Sequence, residues 1–155
     1  VMATSARSLE KSEIDDFLAT PVIARLATVG PDGAPYVVPI WQHWDGSSMW
    51  LIPRGRAAFV DHIRREPRVC VSCADDVNPE HTRITLHGRA EIVQGPEPIA
   101  GRMQDVANHL REKYLGTDPT GYVDATKDRP RYLIRIDPDR ITSWHGQSWH
   151  PRYVD

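Results

Sequence analysis

The sequence predicts a mainly β domain of six or seven antiparallel strands with inserted helices, rolled into a barrel. Three observations carry this reading. Apolar and polar residues alternate with period two over several stretches, most clearly at 69–73 and 82–93. Turn-forming clusters, Gly30-Pro31-Asp32-Gly33 and Asp45-Gly46-Ser47-Ser48, separate the alternating runs. Closure into a barrel would remove the unpaired edges that so many strands otherwise leave exposed.

The elements follow in order. Ser12-Glu13-Ile14-Asp15 opens a first helix, with Ser12 placed to cap the amide of Asp15 and Ile14, Phe17 and Leu18 on one face; Pro21 ends it. Residues 22–53 read as a meander of three strands joined by the two turns, the second strand running to Trp44. Arg54-Gly55-Arg56 is a loop before a short helix at 57–65, which Pro67 closes, and a strand resumes at 69–72. In the long strand 82–93, Gly88 marks a bulge or a close backbone approach. Residues 99–114 form a helix with Met103, Val106, Ala107, Leu110 and Tyr114 on one stripe. Two closing strands, 132–136 and 141–144, flank a turn at Asp137-Pro138-Asp139-Arg140. The expected division is a flexible N-terminus at 1–11, the barrel at 12–144, and an aromatic C-terminal tail at 145–155 that folds over the barrel or a partner subunit, because exposed Trp149 and its neighbours would form an apolar patch.

At 155 residues, 40% hydrophobic and 26% charged, the chain is one domain with enough apolar material to hold a core unaided. The formal charge of -2 gives no general attraction to nucleic acid. No apolar run approaches a membrane span or a signal peptide, so a cytoplasmic location is expected. Cys70 and Cys73 have C-x-x-C spacing, but residues three apart on a strand point to opposite faces, which does not suit redox or zinc chemistry. No nucleophile elbow, metalloprotease, Walker or dinucleotide motif is present. His43 and His87 would meet across a sheet without a third ligand, so no metal is expected.

Two groups of residues stand out. Arg54 and Arg56 lead directly into a helix N-terminus, where backbone amides and the helix dipole favour an anion; the alternative is a solvated turn whose arginines pair with Asp61 or another acid. Trp41, Trp44 and Trp50 lie in the first strands, and Trp41 and Trp44 differ by three, so they face opposite sides of their strand; the first reading is that all are packing residues, the alternative that one belongs to the core and the other to an interface or ligand wall.

The phrases Ile23-Ala24-Arg25-Leu26-Ala27-Thr28-Val29-Gly30-Pro31-Asp32-Gly33-Ala34-Pro35-Tyr36-Val37-Val38-Pro39-Ile40-Trp41, Ile63-Arg64-Arg65-Glu66-Pro67-Arg68-Val69 and Leu86-His87-Gly88-Arg89-Ala90-Glu91-Ile92-Val93 resemble, in order and spacing, the pyridoxamine 5'-phosphate oxidase-like superfamily of flavin and deazaflavin oxidoreductases. The resemblance spans about residues 12–144. It implies a split β-barrel of the FMN-binding type, a homodimer holding FMN or the deazaflavin coenzyme F420 in a groove at the subunit interface. By the family pattern that groove would be lined by Arg25, Leu26, Ala27 and Thr28, by Val38, Pro39, Ile40 and Trp41, and by Arg54, Gly55 and Arg56. The sequence departs from the pattern where relatives carry a phosphate-binding lysine at the start of the helix: here the residues are Ala57, Ala58 and Phe59.

The function so implied is a flavin- or deazaflavin-dependent oxidoreductase acting on a small organic substrate, with the cofactor carrying the electrons and no protein nucleophile required. Tyr36, His43 and His87 are the candidate proton donors, and no catalytic residue is assigned. The alternative is a non-catalytic carrier of haem, flavin or another flat anionic ligand in the same groove, which the missing lysine favours. Vitamin metabolism by a pyridoxamine-phosphate oxidase proper ranks third.

Overall fold

Alternation along β1 (Ala24–Val29) turns Ala24, Leu26 and Thr28 into the core and Arg25 and Ala27 to the opposite sheet face. Its hairpin partner β2 (Pro35–Ile40) follows a turn in which Gly33 takes a φ of 80°, a left-handed conformation open to glycine. In the computed structural model, which describes residues 6–116, 126–148 and 153, the remaining elements in chain order are as follows. After α1 (Lys11–Ala19) and the hairpin come β3 (His43–Trp44), β4 (Met49–Leu51), α2 (Ala58–Arg65), β5 (Arg68–Ala74), β6 (Thr82–Glu97), α3 (Gly101–Leu115) and β7 (Arg131–His145). The strands form one seven-stranded antiparallel sheet in the order β2-β1-β5-β6-β7-β4-β3.

This is the split-barrel architecture that the sequence implies, but the sheet does not close. β2 and β3 are its two edges, joined by the chain at Trp41 and Gln42 and not by ladder hydrogen bonds. The expected meander over 22–53 is corrected accordingly: β2 stays with β1, while β3 and β4 pair with each other and then with β7 on the far side. Prolines at 35 and 39 lack the N–H of an inner strand and suit an edge. At the crossover, side chains replace the ladder. Gln42 donates its N–H to the Tyr114 hydroxyl at 3.2 Å and its Nε2 to the Leu18 carbonyl at 2.9 Å. Lys113 Nζ donates to the carbonyls of Gln42 at 2.9 Å and Leu18 at 2.5 Å.

Two further expectations are corrected. Residues 132–136 and 141–144 belong to one strand, β7, which stays paired with β6 from His145 to Arg131. Pro138-Asp139 is a bulge in that strand, with Asp139 the extra residue where the register shifts between His87 and Gly88, so 137–140 is not a turn. Helix α1 begins one residue before Ser12, and its N-terminus is held by a reciprocal capping box between Glu10 and Glu13, so Ser12 is not the cap.

The core gathers the inward residues of β1, β5, β6 and β7 with α1 and α2: Leu26, Val71, Leu86, Ile134 and Ile136 meet Leu18, Val60 and Ile63. Each such side chain contributes about 1.5–3 kcal/mol on burial. A smaller cluster docks α3, through Met103, Val106 and Leu110, against Trp50 and Leu133. Before α1, Arg7 exchanges backbone hydrogen bonds with His145, and Ala6 N–H donates to Ser148 Oγ at 3.0 Å. Among the described residues no helix is long and apolar enough to cross a membrane.

Candidate functional site

The break between β2 and β3 leaves a groove of about 600 Å³ over the edge of β2. One wall is Val38, Pro39, Ile40 and Trp41; another is the β4–α2 loop, from Ile52 through Arg54 and Arg56 to Ala57; Phe59, Leu110 and Arg131 complete it. The loop is drawn tight by two backbone hydrogen bonds, Ala57 N–H to Arg54 O at 3.0 Å and Gly55 N–H to Pro130 O at 2.9 Å. Arg54 also bridges to Arg131 across the backbone. Three guanidinium-bearing residues therefore border one largely apolar space.

Their electrostatics are unbalanced. No side chain of Asp or Glu lines the groove, and Arg54, Arg56 and Arg131 have no ion pair among the described residues. Asp61 pairs with Arg64 instead, so the alternative of a self-neutralised turn does not hold for that acid. Arg131 is only 7% exposed, and its Nε has no hydrogen-bond partner among the described residues. A buried donor without an acceptor costs about 1–3 kcal/mol, a cost that an anion in the groove would relieve.

Of the residues proposed from sequence, the structure brings together Val38, Pro39, Ile40, Trp41, Arg54 and Arg56. Arg25 and Ala27 are not with them: both lie on the other face of the sheet, where Arg25 forms an ion pair with Asp76. Leu26 is fully buried, and Thr28 bonds His62 Nδ1 at 2.9 Å. Trp44 takes the core position and Trp41 the groove, with one ring face of Trp41 stacked on Tyr114 at 4.9 Å. Sequence reasoning missed Arg131, Phe59 and Leu110. Arg131 sits at a strand start beyond Pro130 and carries no motif; only the sheet order brings it beside the β4–α2 loop.

The helix that walls the groove is docked by titratable groups. His43 of β3 stacks on His109 of α3 with ring centroids 4.3 Å apart and planes at 3°. Burial, His109 and Lys113 all hold His43 below the ordinary histidine value, against a smaller opposing pull from Asp45 in the β3–β4 turn; on the far side of β3, Lys11 and Asp15 of α1 face Trp44. Burial alone would raise the Asp45 carboxyl, but donors from Ser48, Trp50 and Ser47 outweigh it and hold it at about 2, so its charge persists at any ordinary pH. For His43 the unfolded chain binds the proton more readily than the folded one. Stability therefore rises with pH through the window below the ordinary histidine value and is lost on acidification. Thermal melting is expected to fall as the pH is lowered from about 7 to about 5, and His43→Phe is expected to flatten that dependence; an unchanged slope would place the acid sensitivity elsewhere.

The other candidate groups are dispersed. Cys73 is buried, which pushes its thiol up to about 12, while Cys70 looks to the opposite face, 4.0 Å from His87 Nε2. His43 and His87 do not meet, because β7 and β4 separate their strands. Tyr36 packs edge-on against His62 at 5.2 Å. Among the described residues no cluster of three or more metal-ligating side chains occurs. Of the tail, Tyr153 lies 6.0 Å from the Trp144 ring, and Trp149 lies outside the described residues.

No curated protein matches the chain. Among solved structures it is similar to a conserved hypothetical protein from Mycobacterium tuberculosis, with 30% identity and a TM-score of 0.74 over 88% of this chain and 85% of that one. It is similar to an F420 reductase at 28% identity and TM-score 0.65, over 82% of this chain and 94% of the other. The heme storage protein HutZ from Vibrio cholerae shares the fold at 18% identity and TM-score 0.65, over 84% and 91% of the two chains. The pyridoxamine 5'-phosphate oxidase family model matches residues 11–145, and with this sheet order and this groove the chain belongs to that family.

Proposed function

We propose that the protein is an oxidoreductase that binds FMN or coenzyme F420 in the groove between Trp41 and the β4–α2 loop and acts on a small organic substrate. The observation that carries this reading is a set of three arginines with no ion pair among the described residues, one of them buried with an orphaned Nε, on an apolar groove of about 600 Å³. That volume lies within the usual range of about 300–1,000 Å³ for cofactor and ligand sites. Arg54 and Arg56 would hold the anionic end, taking over from the lysine that Ala57, Ala58 and Phe59 replace, and Ile40 and Trp41 would wall the ring. The bound cofactor would supply the electron or hydride transfer; the chain supplies orientation, charge and exclusion of water. The family membership and the likeness to an F420 reductase support the reading.

The carrier alternative is less well supported for haem. The groove has no His, Cys, Met or Tyr among its described lining residues, and haem iron needs such an axial ligand. A homodimer is part of the proposal. The outer face of β1 and β2 presents Val29 at 36% and Val37 at 66% exposure, apolar surface that a second copy would cover.

Titration of the purified protein with FMN and with F420 tests the reading. Micromolar or tighter binding of one is expected, weakened about tenfold or more in Arg54→Ala/Arg56→Ala through loss of charge-assisted hydrogen bonds. Failure of both cofactors to bind would overturn it.

A further inference from the structure

A second chamber, of about 250 Å³, shares Trp41, Ile52, Leu110 and Arg131 with the groove. It extends along one face of α3, where Gln104, Ala107 and Leu110 follow at three-residue spacing and Arg111 comes next, and Thr126 and Lys127 line it from the segment before β7. Ile99 adds to an apolar interior made by Trp41, Ile52, Ala107 and Leu110.

Its charges have one sign. Arg111, Lys127 and Arg131 are all cationic, and no Asp or Glu is among the described lining residues. The Arg111 guanidinium donates to the neutral Asn108 Oδ1 at 3.1 Å, and among the described residues neither Arg111 nor Lys127 has a carboxylate partner. The orphaned Nε of Arg131 belongs to a wall of this space too. An apolar interior rewards an apolar ligand body, whereas three cations without an ion pair among the described residues reward a terminal anion and repel an amine.

We infer that this chamber is the substrate site, and that the substrate is a small, largely apolar molecule ending in a carboxylate that Arg111, Lys127 and Arg131 receive. The inference rests on the larger groove holding the cofactor. Because the two spaces share four walls, a ligand in the chamber lies beside whatever fills the groove. The small volume excludes a second molecule of the cofactor's size and suits a single ring with a short acidic chain.

The probe is 3-phenylpropionate, with 3-phenylpropanol and phenethylammonium as charge controls, measured by calorimetry and saturation-transfer NMR on the full chain with and without FMN or F420. The acid is expected to bind, and both controls to bind about tenfold more weakly or not at all. Arg111→Ala/Lys127→Ala is expected to raise the Kd of the acid about tenfold or more while leaving cofactor affinity within about twofold. Gln104→Trp, on the chamber wall and away from the groove, is expected to block the acid while retaining the melting temperature. Equal binding of acid and alcohol, no response to the double substitution, or no binding of the acid overturns the chamber. Cofactor binding with none of these responses overturns the chamber alone. Acid binding with all of them, in a protein that takes neither FMN nor F420, overturns the cofactor reading and leaves a carboxylate site.

Discussion

Alanine at Gly88 is expected to destabilise the fold by about 3 kcal/mol or more, the scale of a forced steric conflict in a packed interior. A Cβ at this position would collide with the Asp137 carbonyl oxygen and stand 3.0 Å from the Asp137 carbonyl carbon and 3.2 Å from Pro138 Cα. All three atoms are backbone of the paired strand, so no rotamer change can clear them. The site lies at the register shift of β6 on β7, where Pro138 supplies no N–H to the ladder and the strands approach closely to keep pairing on either side. Relief would require parting the ribbon that joins the β1–β5 side of the sheet to the β4–β3 side. For a chain of this size the melting temperature should fall by roughly 10 °C. Calorimetry decides the point: a shift below about 2 °C would mean that the bulge yields freely.

Methionine at Arg131 is expected to have the opposite profile: a cofactor affinity reduced about 10- to 100-fold with stability retained or raised. Arg131 is 7% exposed, its Nε has no partner, and its lining neighbours Trp41, Ile52 and Leu110 are apolar. Among the described residues this buried cation has no counter-charge, and an apolar side chain of similar length removes that cost. The guanidinium earns its place only when an anion enters the groove. Melting curves and a parallel FMN or F420 titration separate the two roles. Lost stability with unchanged affinity would assign Arg131 to the scaffold and withdraw it from the site.

The contrast between these residues explains what could be read from the sequence. Gly88 was legible because a glycine inside a long alternating run has few uses other than a bulge or a close approach, and the structure shows both. Arg54 and Arg56 were legible because they lead into a helix N-terminus, and Val38, Pro39 and Ile40 only through the family resemblance; the fold brings the groups together. Arg131 was not, since its role arises from pairing across the sheet order and leaves no trace in neighbouring residues. The same limit explains the mistaken meander: adjacent strands in sequence are usually adjacent in space, but Gln42, Lys113 and Tyr114 satisfy the crossover backbone and allow the chain to change edges. The Asp137-Pro138-Asp139-Arg140 cluster misled in the other direction, because residues typical of turns also serve in a bulge opposite glycine.

The sheet order also sets a schedule for the chain as it is synthesised. The β1–β2 hairpin closes on local contacts as soon as residue 40 emerges, but β4 must wait for Ile134 and Ile136, its ladder partners in β7. Until then Met49, Trp50 and Leu51, all buried in the finished fold, remain an apolar edge held only by β3. Translation arrested anywhere before residue 131 therefore yields an adhesive nascent chain and not a smaller domain, making the last sixth of the sequence the part on which solubility of the first third depends.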